Sequence, residues 1–175
     1  YIFGDHAAWL KNCLIIDNEA GYGGGGVSAN WYAEPNFVNC TIANNTAAGG
    51  EFGGSFGGGI HLGYRCQGNM INSIIWDNSA SNRNQIALTG TFEDSETGYV
   101  YHGMPSGLTI KFSDVQGGPS GIYRGEGSML TWDAASNKMA DPLLVEGYHL
   151  SQSPGQTVTS PCVNTGSGTA IANEL

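Results

Sequence analysis

The stretch NCTIANNTA, residues Asn39–Ala47, decides the fold, because it occurs three times in the chain with the same internal spacing. The other copies run over Asn12–Ala20 and Asn72–Ala80, so the starts of successive copies lie 27 and 33 residues apart. All three share the pattern N-[CS]-x-I-x-[DN]-N-x-A without a gap. Self-similarity at a period of a few tens of residues is typical of repeat architectures.

A second repeated block follows the first two copies, as GGGV at Gly24–Val27 and GGGI at Gly57–Ile60, and Asn84–Leu88 replaces it after the third. The distance from the block's apolar residue to the next Cys or Ser is 13 residues both times, whereas the segment before the block varies in length. Constant strands with one variable turn are typical of a solenoid of parallel strands. The abundant glycine, 28 of 175 residues, disfavours helices. The sequence therefore predicts an all-β fold, a right-handed parallel β-helix of several coils with inserted loops.

Within each copy, alternation predicts a short strand with one face inward, such as Val38, Cys40 and Ile42. Cys13 and Cys40 share a repeat position and are expected to stack in the core, while Cys66 and Cys162 can be paired or free. The asparagines of the Asn-x-Ala element are expected to form a turn ladder of stacked amides, at Asn18, Asn45 and Asn78. The glycine tracts indicate turns with positive φ and close backbone approach, and they lack the lysine of a phosphate-binding loop.

The repeat loosens in the second half of the chain. About 14 residues are inserted within 89–107, and strand signal returns over Leu108–Val115. A degenerate coil follows over 122–145, with Asp141–Val145 as its clearest strand. We expect one β-helix domain over 1–166, part of a longer β-helix, and a polar C-terminal tail over 167–175.

Composition limits the classes of partner. The net charge is −9, and only six residues are basic, which disfavours nucleic acid and anionic membranes. No apolar run reaches the roughly 20 residues that a membrane-spanning helix needs. Tyr1 is not an initiator Met, so we expect a processed product or a fragment.

The coils resemble those of bacterial secreted right-handed β-helix proteins, including proteins with polymorphic outer-membrane-protein-like repeats. The resemblance rests on Asn39–Ala47 with the Gly-Gly-Gly-Ile block, and on Ser73–Asn78, Asn84–Ile86, Ser113–Gly118 and Asp141–Leu143 in that order. Tyr148–Leu150 and Ser160–Cys162 complete the order, which is similar to the C-terminal part of "choice-of-anchor" β-helix proteins. The resemblance implies a secreted or cell-surface location and no catalytic motif, since these families are defined by architecture.

The residues give little support for a catalytic function. A lyase needs a base and groups that neutralise a uronate carboxylate, but no cationic cleft is indicated by the six scattered basic residues: Lys11, Arg65, Arg83, Lys111, Arg124 and Lys138. A hydrolase needs paired carboxylates. Asp17 and Asp77 share one repeat position with Asn44 between them, about 9.6 Å apart at two strand spacings. Turn-stabilising side chains explain them more simply.

Binding surfaces are the alternative. Trp31 and Tyr64 are expected to stack on adjacent coils, and a core or turn stack is favoured over an exposed sugar-binding ladder. Trp76 is out of phase with the inward residues, which indicates cover by a loop or a contact surface. We assign no cofactor. Glu93, Asp94 and Glu96 have two interpretations, a Ca²⁺ site or a solvated acidic loop, and the loop explains them better. The spacing of the four histidines predicts neither a metal site nor a triad: His6, His61, His102 and His149.

The sequence thus favours a non-enzymatic secreted or cell-surface module, acting as a scaffold, adhesin or assembly subunit. Its partners would be other β-helix coils or protein subunits at the open ends of the solenoid. The alternative is a polysaccharide-binding or polysaccharide-degrading domain. A specific activity is expected where the repeat breaks, at 48–56 and 89–107.

Overall fold

A computed structural model describes residues 1–49, 56–81, 85–90, 92–93, 100–101, 104–152, 158–163 and 165–166. These residues form β-strands and two short 3₁₀ helices at Gly118–Gly121 and Glu146–Tyr148, with no α-helix among them. The strands are β1 Ile2–Phe3, β2 Ala7–Lys11, β3 Leu14–Ile16, β4 Glu19–Ala20, β5 Val27–Asn30, β6 Glu34–Val38, β7 Thr41–Ala43, β8 Thr46–Ala47, β9 Ile60–Leu62, β10 Gln67–Ile71, β11 Ile74–Trp76, β12 Ser79–Ala80, β13 Ile86–Leu88, β14 Phe92–Glu93, β15 Val100–Tyr101, β16 Gly107–Lys111, β17 Asp114–Val115, β18 Ile122–Arg124, β19 Met129–Trp132, β20 Leu144–Val145 and β21 His149–Leu150.

Each repeat of the chain contributes one strand to each of several parallel sheets. The sheets have the strand orders β1-β5-β9-β13-β18, β2-β6-β10-β16-β19, β3-β7-β11-β17 and β4-β8-β12. We call the strands from one repeat a layer, so that β1–β4 form layer 1 and β5–β8 form layer 2. The fold is therefore nearly all β, with stacked parallel sheets that are compatible with a β-helix solenoid.

The pairing register matches the sequence spacing. Val27 pairs with Ile60, and Ile60 with Ile86, as the block spacing predicts. In the adjoining sheet Ile42 lies between Ile15 and Ile75. Because pairing resumes between Gln67 and Gly107, the insertion lies between β13 and β16, as predicted. Part of it forms the antiparallel pair β14–β15.

The repeated motif forms two strands, not one. β6 ends at Val38 and β7 begins at Thr41, because Asn39 between them has a φ of 54°. A second left-handed residue, Asn44 with a φ of 55°, ends β7. Asparagine is among the residues that tolerate this conformation best. The expected continuous strand through Cys40 was therefore wrong, although its inward positions were right.

The interior is filled by the inward residues of successive layers. Ile42, Ile75 and Val115 lie one above another, as do Phe37, Met70 and Ile110 in the neighbouring sheet. All six are fully buried. Burial of such side chains is the main favourable term in folding.

A column of hydrogen-bonded amides runs beside this core, and its central members Asn45, Asn78 and Gln85 are buried. The Asn18 Nδ2 donates to the Asn45 Oδ1 at 2.8 Å, and the Asn45 Nδ2 donates to the Asn78 Oδ1 at 2.9 Å. Gln85 and Gln116 continue the column. The Asn45 amide also donates to the carbonyls of Ile15 and Ala43 at 2.9 and 3.0 Å. The predicted amide ladder is confirmed.

The last part of the described chain departs from the predicted strands. β18 and β19 add to the stack, but over Asp141–Val145 only Leu144 and Val145 are strand, and they pair antiparallel with β21. Proline at 142 lacks an N–H, and the Leu143 N–H donates to the Asp141 carboxylate in a turn. The clearest strand of this coil is therefore β19. The predicted tail, 167–175, lies outside the described residues.

Across the described ranges, no helix has the length and apolar character required to span a bilayer.

Candidate functional site

Among the described residues, a cleft lies against β5. Its volume is about 600 Å³, and it is lined by Tyr1, Ala20, Gly21, Tyr22, Gly23, Gly24, Gly25, Gly26, Ser28, Asn30, Trp31, His61 and Tyr64. Tyr22 lies before β5 in the chain and Trp31 directly after it, so aromatic residues flank the strand. Ser28 and Asn30 belong to β5 itself, and His61 pairs with Ser28 from the next layer. Ala20 of the lining belongs to β4 in layer 1, so three layers build the cleft.

The glycine tract before β5 lets the backbone approach closely. Gly24 has a φ of 66°, and a Cβ there would come within 2.2 Å of the Val27 carbonyl oxygen. A Cβ on Gly25 would lie 2.5 Å from the Gly58 carbonyl oxygen in the next layer. Only glycine fits both positions, as the sequence predicted. The tract supplies one side of the cleft with backbone alone.

The aromatic residues after β5 stack between layers. The Trp31 and Tyr64 rings lie 4.9 Å apart with an interplanar angle of 22°. Both residues have left-handed backbone, with φ values of 59° and 54°. The predicted stack on adjacent layers is confirmed. It lies at a turn, and both side chains are half-buried and line the cleft, so the stack does not belong to the core.

The opposite corner is also aromatic. The Tyr22 ring meets the Phe56 ring edge-on at 6.3 Å, and the Phe56 ring stacks on His61 at 6.2 Å. Tyr22 is half exposed and forms part of the lining. The cleft thus has aromatic side chains at both ends of β5, which gives it apolar walls.

Two buried polar atoms in the lining have no hydrogen-bond partner among the described residues, the Asn30 Oδ1 and the His61 Nδ1. Both side chains are about 95% buried. The Asn30 Nδ2 is satisfied by the Ser28 hydroxyl at 3.1 Å, and the His61 Nε2 lies 3.1 Å from the Thr89 hydroxyl. Most buried polar atoms in native proteins are hydrogen-bonded, so the lack of a partner at these two atoms needs an explanation.

The side chains of the lining carry no formal charge near neutral pH. Burial lowers the pKa of His61 to about 4, so its imidazole is neutral. Burial, followed by the neighbouring Tyr22 and Tyr1, raises the pKa of the Tyr64 hydroxyl, which stays protonated. The lining residues include no Lys, Arg, Asp or Glu. The cleft is suited to an uncharged ligand.

The sequence did not identify Asn30 or His61 as candidates. The spacing of the histidines gave no signal, because His61 does not pair with another histidine. The residues paired with it in the neighbouring layers are Ser28 and Ala87. The available signals were a polar residue, Asn30, next to Trp31, and His61 between Ile60 and Leu62 in an otherwise apolar strand.

The candidate catalytic pair lies at a different corner. Asp17 and Asp77 have φ values of 55° and 52°, in the same column as Asn44. The Asn44 Nδ2 donates to the Asp17 Oδ1, and the Gln116 Nε2 donates to the Asp77 Oδ1 at 3.1 Å. Asp17 also accepts a hydrogen bond from the Tyr148 hydroxyl. These contacts fit turn-stabilising side chains.

The cysteines are free thiols. Cys40 is buried and Cys13 packs against the same core, as predicted. The Cys162 thiol donates to the Asp114 carboxylate at 2.7 Å beside a cavity of about 100 Å³. Burial, with this hydrogen bond second, raises the pKa of Cys162 to about 12. The thiol therefore stays protonated and is a poor nucleophile.

The remaining candidates are scattered or lie outside the described residues. Trp76 is half-buried. His6 and His149 are exposed, while Arg83, Asp94, Glu96 and His102 fall outside the described residues, as does the side chain of Glu93. Among the described residues no group of three or more His, Cys, Asp or Glu is placed to hold a metal ion. Most of the two predicted break regions, 50–55 and 94–99 included, also falls outside.

No protein-family model, curated protein or solved structure matches this chain.

Proposed function

We propose that the chain is a right-handed parallel β-helix and a non-enzymatic structural module of a secreted or cell-surface bacterial protein. Handedness is supported by the general rule that parallel crossover connections are right-handed in nearly all proteins. Location is supported by the resemblance of Asn39–Ala47 and its repeats to secreted β-helix proteins. In this role the module is a scaffold that packs end to end with further β-strand layers.

The observation that carries this proposal is the open end at layer 1. Among the described strands, β1, β2, β3 and β4 each lie at the end of their sheet, with a strand of layer 2 on one side only. The core residues of layer 1 are less covered than those below them. Leu10 and Ile15 are half-buried, whereas their partners Phe37 and Ile42 are fully buried.

Such an end favours addition of another layer. A free strand edge presents unpaired N–H and C=O groups, which another strand can satisfy. Half-buried Leu10 and Ile15 would complete their burial, with a gain of roughly 25 cal/mol per Å² of apolar surface. The added layer would be a further β-helix layer of this kind, and in a solution of this chain alone a second copy can supply it, since its own strands already stack in parallel.

Sedimentation velocity over a concentration series tests this assignment. We expect association that grows with concentration in the unaltered protein and is lost in Ile15→Lys, because the inward ammonium group would be buried without a partner. Leu14→Lys is the matched control. Leu14 is 50% exposed, and this variant introduces the same charge one residue away from Ile15. A monodisperse monomer at every concentration would contradict the assembly role.

The non-enzymatic part has its own test. A panel of acidic and neutral polysaccharides is incubated with the protein, and released reducing ends and unsaturated products are measured. We expect no release. Cleavage of any polysaccharide, lost in Asp17→Asn or Asp77→Asn, would establish the degrading alternative instead.

A further inference from the structure

We propose that the cleft against β5 binds one ring of a neutral carbohydrate. The Trp31 and Tyr64 side chains would contact the apolar face of the sugar, while Asn30 and His61 would accept hydrogen bonds from its hydroxyl groups. This binding site is additional to the structural role proposed above and does not depend on it.

The size and walls of the cleft fit a small ring. Its volume of about 600 Å³ lies within the roughly 300–1,000 Å³ typical of small-molecule sites. The Trp31–Tyr64 stack lies at one end of β5 and the half-exposed Tyr22 at the other. A pyranose presents C–H groups on its ring faces and hydroxyls around its edge. Aromatic side chains that combine an apolar body with a polar tip are suited to both.

The unpaired polar atoms specify hydrogen-bond donors on the ligand. The Thr89 hydroxyl is directed to the Leu62 carbonyl oxygen, so it accepts from His61, and we assign the imidazole proton to Nε2. The His61 Nδ1 is then an acceptor. The Asn30 Oδ1 is an acceptor as well, because its amide nitrogen donates to Ser28. Both atoms therefore match hydroxyl groups, which donate.

The glycine tract lies directly over the histidine. The position that a Cβ on Gly23 would occupy lies 3.3 Å from the His61 Nδ1, so a side chain there would stand against this atom. At Gly21 a Cβ would meet nothing within 4 Å, which shows the openness of this side. The His61 Nδ1 has almost no solvent-accessible surface in the structure, so the backbone of the tract must move aside before a ligand hydroxyl can bind it.

The absence of charge in the lining favours a neutral sugar over a uronate. None of the lining side chains named above is cationic, and the chain carries a net charge of −9. A carboxylate in this cleft would lose its hydration without gaining a cationic partner, which is costly. Polyuronates and phosphorylated sugars are therefore excluded as the preferred ligands.

Isothermal titration calorimetry of the full chain near neutral pH tests the proposal. The probes are tetrasaccharides of glucose, mannose, galactose and N-acetylglucosamine, with tri-galacturonate as the charged comparison. We expect saturable binding of at least one neutral probe and none of tri-galacturonate. Absence of binding by every neutral probe, or equal binding of tri-galacturonate, would overturn the proposal.

Variants locate the binding in the cleft. Tyr22→Ala and Trp31→Ala are each expected to weaken the affinity about 10-fold, as loss of an aromatic contact of about 1.4 kcal/mol implies. Trp9→Ala and Tyr32→Ala are matched controls, since both side chains are exposed aromatics outside the lining. Because Tyr22 is half exposed, its variant remains informative if Trp31→Ala fails to fold. Unchanged affinity in folded Tyr22→Ala would overturn the assignment.

The outcome is separable from that of the structural role. Ile15→Lys is expected to abolish self-association while it leaves sugar affinity unchanged, since Ile15 does not line the cleft. Tyr22→Ala is expected to weaken the sugar affinity and to leave self-association unchanged. Loss of both properties in one of these variants would show that the cleft and the open end are not independent.

Discussion

Two columns of polar side chains lie one residue apart in the sequence and are held in place by different forces. The inner column contains Asn45, whose side chain is completely buried and bonds to both neighbouring layers. The outer column contains Asn44, which is exposed and has left-handed backbone. The inner position is Asn in all three copies of the motif, whereas the outer position is Asp, Asn and Asp. Adjacent asparagines therefore serve hydrogen bonding in one column and backbone conformation in the other.

The largest effect is expected in the inner column. Asn45→Ala would leave the Ile15 and Ala43 carbonyls and the adjoining Asn18 and Asn78 amides with fewer partners in a buried site. With a cost of about 1–3 kcal/mol for each unsatisfied buried group, we expect a loss of about 4 kcal/mol in the free energy of unfolding. Urea denaturation measures it. A loss no larger than that of Asn44→Ala would break the distinction between the columns.

The protein is expected to lose stability in acid, because His61 is buried as a neutral group. The pKa of His61 is about 4 in the folded protein and about 6.5 when unfolded, so the unfolded chain binds the proton first as pH falls. The free energy of unfolding should therefore decrease from about pH 6.5 downwards, by about 3 kcal/mol in total at pH 4.

Comparison with His61→Gln isolates this contribution. Other titrating groups are common to both proteins. Among them is Asp114, whose pKa is raised mainly by burial and whose contribution therefore has the opposite sign. We expect the pH dependence of the variant to be flatter over this range in urea denaturation. Identical pH profiles for the two proteins would show that His61 is not buried as a neutral group.

The outer column should respond to backbone conformation. Asn44→Ala places a Cβ-bearing residue without a compensating side chain at a φ of 55°, which costs about 1 kcal/mol. Asn44→Gly should remain within about 0.5 kcal/mol of the original protein, because glycine adopts this conformation freely. Thermal denaturation of the two variants gives the comparison. An equal loss in both would mean that the Asn44 side chain, rather than its backbone, stabilises the corner.

The smallest effect is expected for Asp17→Asn. The amide oxygen can accept the same hydrogen bonds from Asn44 and Tyr148, and the site is exposed. We expect a change of less than about 0.5 kcal/mol in the free energy of unfolding. A much larger loss would show that the carboxylate charge matters in the outer column.

The repeat arithmetic predicted the register of the layers because parallel pairing fixes strand length. Ile15, Ile42 and Ile75 lie in one row for that reason. The same arithmetic located the insertion before β16. It could not separate Val38 from Thr41 into two strands, because the left-handed backbone of Asn39 is a property of a single residue that alternation does not detect.

The cleft was predicted only in part. Equal spacing predicted that Trp31 and Tyr64 stack, and their parity with Val27 and Ile60 favoured a core or turn stack without deciding between the two. Two consecutive left-handed residues, Trp31 and Tyr32, turn the chain there and invalidate parity beyond β5. Whether Asn30 and His61 find partners depends on contacts between layers, which no local pattern contains.

A double-mutant cycle on Asn45 and Asn78 tests most directly the claim that buried amides couple the layers. Both single Ala variants and the double variant are unfolded with urea, in a stabilising osmolyte where needed. We predict a coupling energy above about 1 kcal/mol for this buried pair, and below about 0.5 kcal/mol for the exposed pair Asn12 and Asn39, whose amides lie 3.1 Å apart. Additive losses at Asn45 and Asn78 would contradict the claim.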